Sequence, residues 1–134
     1  MNDAVIVSAA RLPIGKFGGA LKDVSNWDLG TAVITGAVKR AQVQGGDIDE
    51  VIMAHGFRTG DLPANSSRAV ALPAGIPTQV PEFTINKACG GSLRAVGLAA
   101  QLIKAGENEA IVAGGMESMS RAAFIITKAR SLLT

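Results

Sequence analysis

The chain has 134 residues, the length of one ordinary domain, with 48% hydrophobic, 18% charged and only 4% aromatic residues. Its net charge of +2 comes from Lys and Arg scattered singly, so neither a basic patch nor a set of stacking rings marks a nucleic-acid surface. The mean hydropathy of +0.30 rests on Ala, Val, Ile and Leu, which suits packed α/β layers rather than disorder, and no run of about 18 apolar residues offers a membrane span.

In chain order, Ala4 to Ala9 (Ala-Val-Ile-Val-Ser-Ala) reads as a buried strand, ended by the turn residues from Arg11 to Gly19. No basic leader, cleavage site or transit pattern is visible before it. Ser25-Asn26-Trp27-Asp28 is a helix-start signature, with Ser25 or Asn26 as cap and Asp28 at the positive end. Leu29, Ala32, Val33, Gly36 and Ala37 continue at helical spacing, and Gly45-Gly46 is the expected stop. Val51 to Ala54 predicts a second strand, and Asn65 to Leu72 a short helix that Pro73 ends. Phe83 to Asn86 predicts a third strand, Cys89 to Lys104 a helix closed by Gly106, and Ala110 to Ala113 a fourth strand.

The order β-α-β-α-β-α-β with short connections implies an α/β fold with a mostly parallel sheet. The third helix is apolar nearly all round, interrupted only by Arg94, Gln101 and Lys104. Such a helix is normally buried on every side, so a second chain or a further domain is expected to cover it. After Gly115 the pattern fades, although Phe124-Ile125-Ile126 and Leu132-Leu133 are apolar; the reading is of a chain cut short.

Cys89 is the single cysteine, which excludes an internal disulfide and fits a reducing compartment, so the expected location is the cytoplasm. It stands where a strand passes into a helix, the end of a parallel sheet at which ligands bind. A thiol there meets the positive end of the helix dipole, a field that favours thiolate. Gly90 and Gly91 follow and would let a carbonyl approach backbone N–H groups closely. The alternative is a small buried hydrophobe. His55, the single histidine, follows the second strand; a Cys89–His55 dyad would make a small hydrolase, and the plainer alternative is a hydrogen-bonded or exposed loop histidine. Asp61, Glu82, Glu107 and Glu109 form no carboxylate pair and read as solvated surface, and no metal-ligand spacing is present.

Three segments, in order and spacing, resemble the thiolase family. They are Val5-Ile6-Val7-Ser8-Ala9-Ala10-Arg11-Leu12-Pro13-Ile14-Gly15-Lys16-Phe17-Gly18-Gly19, Asn86-Lys87-Ala88-Cys89-Gly90-Gly91-Ser92-Leu93-Arg94-Ala95-Val96, and Val112-Ala113-Gly114-Gly115-Met116-Glu117-Ser118-Met119-Ser120. The resemblance implies the amino-terminal half of the thiolase fold, incomplete. Residues 1–118 would form the amino-terminal domain without its last strand, and 119–134 would begin a truncated loop domain. It implies that Cys89 accepts an acyl group from acyl-CoA while its own N–H serves as oxyanion donor. The acyl enzyme then condenses with a second acyl-CoA to a 3-ketoacyl-CoA such as acetoacetyl-CoA, or forms by the reverse cleavage. Coenzyme A thioesters would be substrates, with no permanently bound cofactor, no nucleic-acid or membrane partner, and a homodimer or homotetramer as the assembly. The family draws its base, a second cysteine, and its activating histidine from the carboxyl-terminal half, so this chain alone is expected to be inactive, or to act only by association. Two departures stand out: Gly91-Ser92 where the family usually shows Ser-Gly, and Arg58 to Arg68, which fits loosely although Asn65 and Arg68 stay in register.

Overall fold

Three short apolar runs form a parallel sheet: β1 (Glu50–Ala54), β2 (Glu82–Ile85) and β3 (Ile111–Gly115), in the order β2-β1-β3. The computed structural model describes residues 3–57 and 65–125. Helices α1 (Asn26–Ala41), α2 (Ser66–Ala71) and α3 (Gly91–Ala105) alternate with the strands. Strand pairing runs from Val51 opposite Glu82 to Ala54 opposite Ile85, and from Glu50 opposite Ile111 to Ala54 opposite Gly115. All three strands therefore finish level, and the segments leaving them meet at one edge.

The two-residue alternation of β1 divides the core. Val51 and Met53 join Ile34, Ile48, Val70, Ile76 and Val80 in the layer below α1 and α2. Ile52 points the other way, to Ala95 and Ala99 of α3. Small residues on α3 let the helix sit close to the sheet, with Leu98, Leu102, Phe83 and Ile85 closing around them. Helix α1 is capped as the sequence suggests: the Ser25 hydroxyl accepts from the Asp28 N–H at 3.0 Å and donates to the Asp28 carboxylate at 2.7 Å. Asn65 caps α2, and Gly106, at φ 80°, closes α3.

Several expectations need correction. Ala4 to Ala9 joins no ladder, so the described sheet has three strands and not four. Val5, Ile6 and Val7 are 73%, 78% and 76% exposed. A Val-Ile-Val run is apolar towards both faces and becomes a buried strand only where both are covered. Here the segment lies along α1, where the Ser8 hydroxyl donates to Ala37 O at 2.8 Å and Arg40 to Ala9 O at 2.7 Å. Helix α1 buries Asn26, Gly30 and Ile34 instead of the stripe through Leu29, Ala32, Val33, Gly36 and Ala37. It stops at Gln42, which takes the left-handed cap conformation (φ 60°) before the two glycines are reached. Helix α3 buries Gly91, Ala95 and Ala99, while Leu93 is 79% and Val96 38% exposed; among the described residues nothing covers its second apolar face. The apolar tail from Ile126, most of the expected loop domain, and Arg58 and Asp61 lie outside the described residues.

Candidate active site

The level strand ends bring together His55 to Phe57 after β1, Asn86 to Gly90 after β2, and Met116 to Ser118 after β3. Cys89 is exposed at this edge, inside a single 3-10 turn (Ala88–Gly90) that feeds into α3. The helix proper thus begins two residues later than the sequence suggests, at Gly91. Ala88 has φ 44°, a left-handed conformation that a residue with a β-carbon rarely adopts, at a cost of about 1–3 kcal/mol. It turns the chain sharply out of the strand and presents Cys89 outward.

The amides of this turn are not equivalent. Gly90 N–H donates to Lys87 O at 3.0 Å and Gly91 N–H to Ala88 O, so neither glycine amide is free for a ligand. The value of the two glycines here is space. A β-carbon on Gly91 would stand 2.6 Å from the Ala54 Cβ, whereas among the described residues, chain neighbours apart, nothing lies within 4 Å of the corresponding position on Gly90. Ala88 N–H donates to Asn86 Oδ1 at 3.0 Å. Among the described residues the Cys89 N–H has no acceptor, which leaves a thiol and an unpaired donor on one residue.

His55 is 1% exposed, and both of its ring nitrogens face other groups. Nδ1 lies 2.8 Å from the Ser66 hydroxyl, and Nε2 lies 3.2 Å from Glu117 Oε1. The second approach is an electrostatic contact without the alignment of a hydrogen bond. A dyad with Cys89 would need one nitrogen turned to the exposed thiol, and neither is. Glu117 uses its other oxygen to accept from the N–H groups of Gly56 at 2.9 Å and Phe57 at 3.1 Å.

Glu82 is not solvated surface. Its side chain is 3% exposed and is gripped by Arg68, with Nη1 at 2.6 Å from Oε2 and 2.8 Å from Oε1. This pair gives Arg68 a structural role, and Asn65 has one beside it. Asn65 caps α2 and donates to Glu82 O at 3.0 Å, while Arg68 also donates to Thr78 O at 3.0 Å. Both residues stitch α2 to the start of β2, far from Cys89. The roles of Asn86 and Glu117 were not read from the sequence. The available signal was position, since each lies just past the carboxyl end of a parallel strand.

Two grooves, one between α1 and the Ala74–Gly75 turn and one beside Trp27 and Leu72, leave Cys89 outside. Among the described residues no group of His, Cys, Asp and Glu is placed to hold a metal ion, and no helix is long and apolar enough to cross a membrane.

Comparison with known proteins agrees with this architecture. The family model for the amino-terminal domain of thiolase matches residues 4–133. An acetyl-CoA acetyltransferase of Syntrophomonas wolfei is 50% identical over 129 residues, covering 96% of this chain and 32% of that protein. One from Escherichia coli is 47% identical over 132 residues, covering 98% of this chain and 33% of its own length. The crystal structure of the Bacillus anthracis acetyl-CoA acetyltransferase superposes with a TM-score of 0.91 at 42% identity, over 97% of this chain and 33% of that one. The chain therefore spans about a third of the length of the relatives it matches.

Proposed function

The chain belongs to the thiolase family, and from that premise we propose that it carries the acyl-accepting half of an acetyl-CoA acetyltransferase, with Cys89 as the nucleophile. The observation that carries this reading is the pairing of an exposed Cys89 thiol with its own unpaired backbone N–H on the outward side of a constrained turn. The thiolate attacks the thioester carbonyl carbon, a new C–S bond forms, and the carbonyl oxygen takes up negative charge. The Cys89 N–H stabilises that oxygen, the tetrahedral adduct collapses, and coenzyme A leaves as thiolate to be protonated by solvent. One thioester replaces another, so the step is nearly balanced.

In this reading the protein condenses acyl-CoA with the acyl enzyme or cleaves 3-ketoacyl-CoA such as acetoacetyl-CoA. Coenzyme A thioesters are the substrates, the working form is a homo-oligomer in the cytoplasm, and residues 1–118 and 119–134 belong to separate domains. The α-proton of the second acyl group needs a placed base. With His55 buried and its ring nitrogens facing Ser66 and Glu117 and not the thiol, the described part of this chain supplies none beside Cys89, so the chain by itself is expected not to turn over.

The test is acetyl transfer without turnover. Incubation with acetyl-CoA is expected to leave one acetyl group on the peptide containing Cys89 and release one equivalent of coenzyme A, and Cys89→Ala is expected to abolish both. Acetylation elsewhere, or none at Cys89 in a folded protein, overturns the reading.

A further inference from the structure

We propose that Asn86 and Glu117 are positioning residues for Cys89, joined through the backbone of Gly56 and Phe57 into one brace across the ends of all three strands. The proposal rests on Cys89 being the acyl acceptor. Its starting point is Ala88, whose left-handed conformation persists only where the surroundings impose it. The Asn86 side chain does so with both ends of one amide. Oδ1 accepts from Ala88 N–H at 3.0 Å, and Nδ2 donates to Gly56 O at 2.9 Å. A rotation of that amide breaks both bonds together.

Gly56 is fixed in turn. Its N–H and that of Phe57 donate to Glu117 Oε2 at 2.9 Å and 3.1 Å. A β-carbon on Gly56 would stand 3.1 Å from the same oxygen, so the close approach favours glycine. The other Glu117 oxygen lies 3.2 Å from His55 Nε2, a contact without hydrogen-bond alignment, and His55 Nδ1 lies 2.8 Å from the hydroxyl of the fully buried Ser66 of α2. The brace thus runs from the packed core beneath α2, past the ends of β3 and β1, to the residue preceding Cys89.

Satisfying backbone groups beyond the last ladder bond would explain hydrogen bonds to Gly56 and Phe57 on their own. It does not explain why the network ends on the strained residue beside the only cysteine. Nor does it explain why, in that turn, the Cys89 N–H alone is left without an acceptor. Thioester exchange needs Sγ and that N–H to address the same carbonyl, with the donor about 3 Å from the developing oxyanion. A shift of about 1 Å in such an arrangement costs on the order of a hundredfold in rate. The brace acts on Cys89 through the backbone and touches no substrate.

The experiment measures acetyl uptake at Cys89 from acetyl-CoA by mass spectrometry across donor concentrations, with hydrogen exchange of the segment 86–91 in parallel. Asn86→Ala and Glu117→Ala are each expected to lower the maximal rate by about tenfold to a hundredfold, with the half-saturating concentration moving less than about twofold. Exchange at 86–91 is expected to rise while that of the later turns of α3 stays unchanged. Glu117→Gln keeps an acceptor for both amides and is expected to retain the rate within about threefold. Arg68→Ala weakens the fold at the opposite ends of the strands and is expected to lower the melting temperature without slowing uptake. Uptake in Asn86→Ala and Glu117→Ala no slower than in Arg68→Ala, or unchanged exchange at 86–91, overturns the proposal. Absence of acetyl uptake in the unsubstituted protein instead overturns the acyl-acceptor reading, and the exchange result still decides whether the brace holds the turn.

Discussion

Gly91, the first residue of α3, faces Ala54, the last residue of β1, so closely that a β-carbon on it would stand 2.6 Å from the Ala54 Cβ. The next residue, Ser92, occupies the space that a side chain at Gly115 would need. The order Gly-Ser after the cysteine, reversed relative to the usual thiolase pattern, is therefore matched to two neighbours, Ala54 and Gly115. Gly91→Ser alone is expected to destabilise the fold by about 1–3 kcal/mol through overpacking. Adding Ala54→Gly removes the obstructing methyl and should recover at least half of that loss. Denaturant midpoints of the two single variants and the double variant give the coupling energy directly.

Arg68 and Glu82 form an ion pair between a side chain one-third exposed and one almost fully buried. Removing Arg68 leaves a buried carboxylate without its partner and also leaves Thr78 O and Val80 O without their donor. Arg68→Ala is expected to cost about 3 kcal/mol, the lower end of the range for a broken buried pair because water reaches the guanidinium. Arg68→Lys cannot reproduce the fork of contacts and should recover less than half. Urea titration of both variants checks the order.

The parallel α/β class, the two later crossovers and the placement of Cys89 at a strand-to-helix junction were legible because each depends on local pattern. A short Val-Ile-Met run, a Ser-x-x-Asp cap and a Gly stop carry their own physics. The first strand was misread because Val5, Ile6 and Val7 show what the segment could bury, not whether anything lies beside it. Glu82 was misread because a lone acidic residue looks solvated until the chain brings Arg68 onto it, 14 positions away. Glu117 and Asn86 acquire their roles only when three strand ends finish level, a relation between distant segments with no local signature.

Asp49 and Glu50 pull the pH dependence of stability in opposite directions. The Asp49 carboxylate accepts from the N–H groups of Ala110 at 2.9 Å and Glu109 at 2.7 Å, and these bonds hold its pKa below the ordinary value. A depressed folded pKa gives stability that is present above the unfolded value and lost as pH falls through the folded one. Asp49→Ala should therefore flatten the acid limb of the stability curve. Partial burial raises the Glu50 pKa. That contribution is fully present below the unfolded value and lost as pH rises through the folded one. Glu50→Gln is thus expected to leave stability at low pH unchanged and increase it slightly near neutrality, measured by thermal melts from acid to neutral pH.

Leu93 on α3, exposed at 79%, lies on the helix face turned away from Ala95 and Ala99, and Val96, 38% exposed, lies on the flank between the two faces. Val5, Ile6, Val7, Phe124 and Ile125 add further exposed apolar area. Surfaces of this kind drive association when nothing covers them. The chain on its own is expected to sediment as a concentration-dependent mixture of species larger than the monomer. Leu93→Lys should shift that distribution towards monomer without lowering the denaturation midpoint, because Leu93 contributes little to the sheet-side core. A sharp monomer peak for the unsubstituted chain at every concentration would mean that the exposed face is not adhesive. The apolar character of α3 would then require another explanation. A midpoint that falls with Leu93→Lys would instead place Leu93 in the folded core, contrary to its exposure.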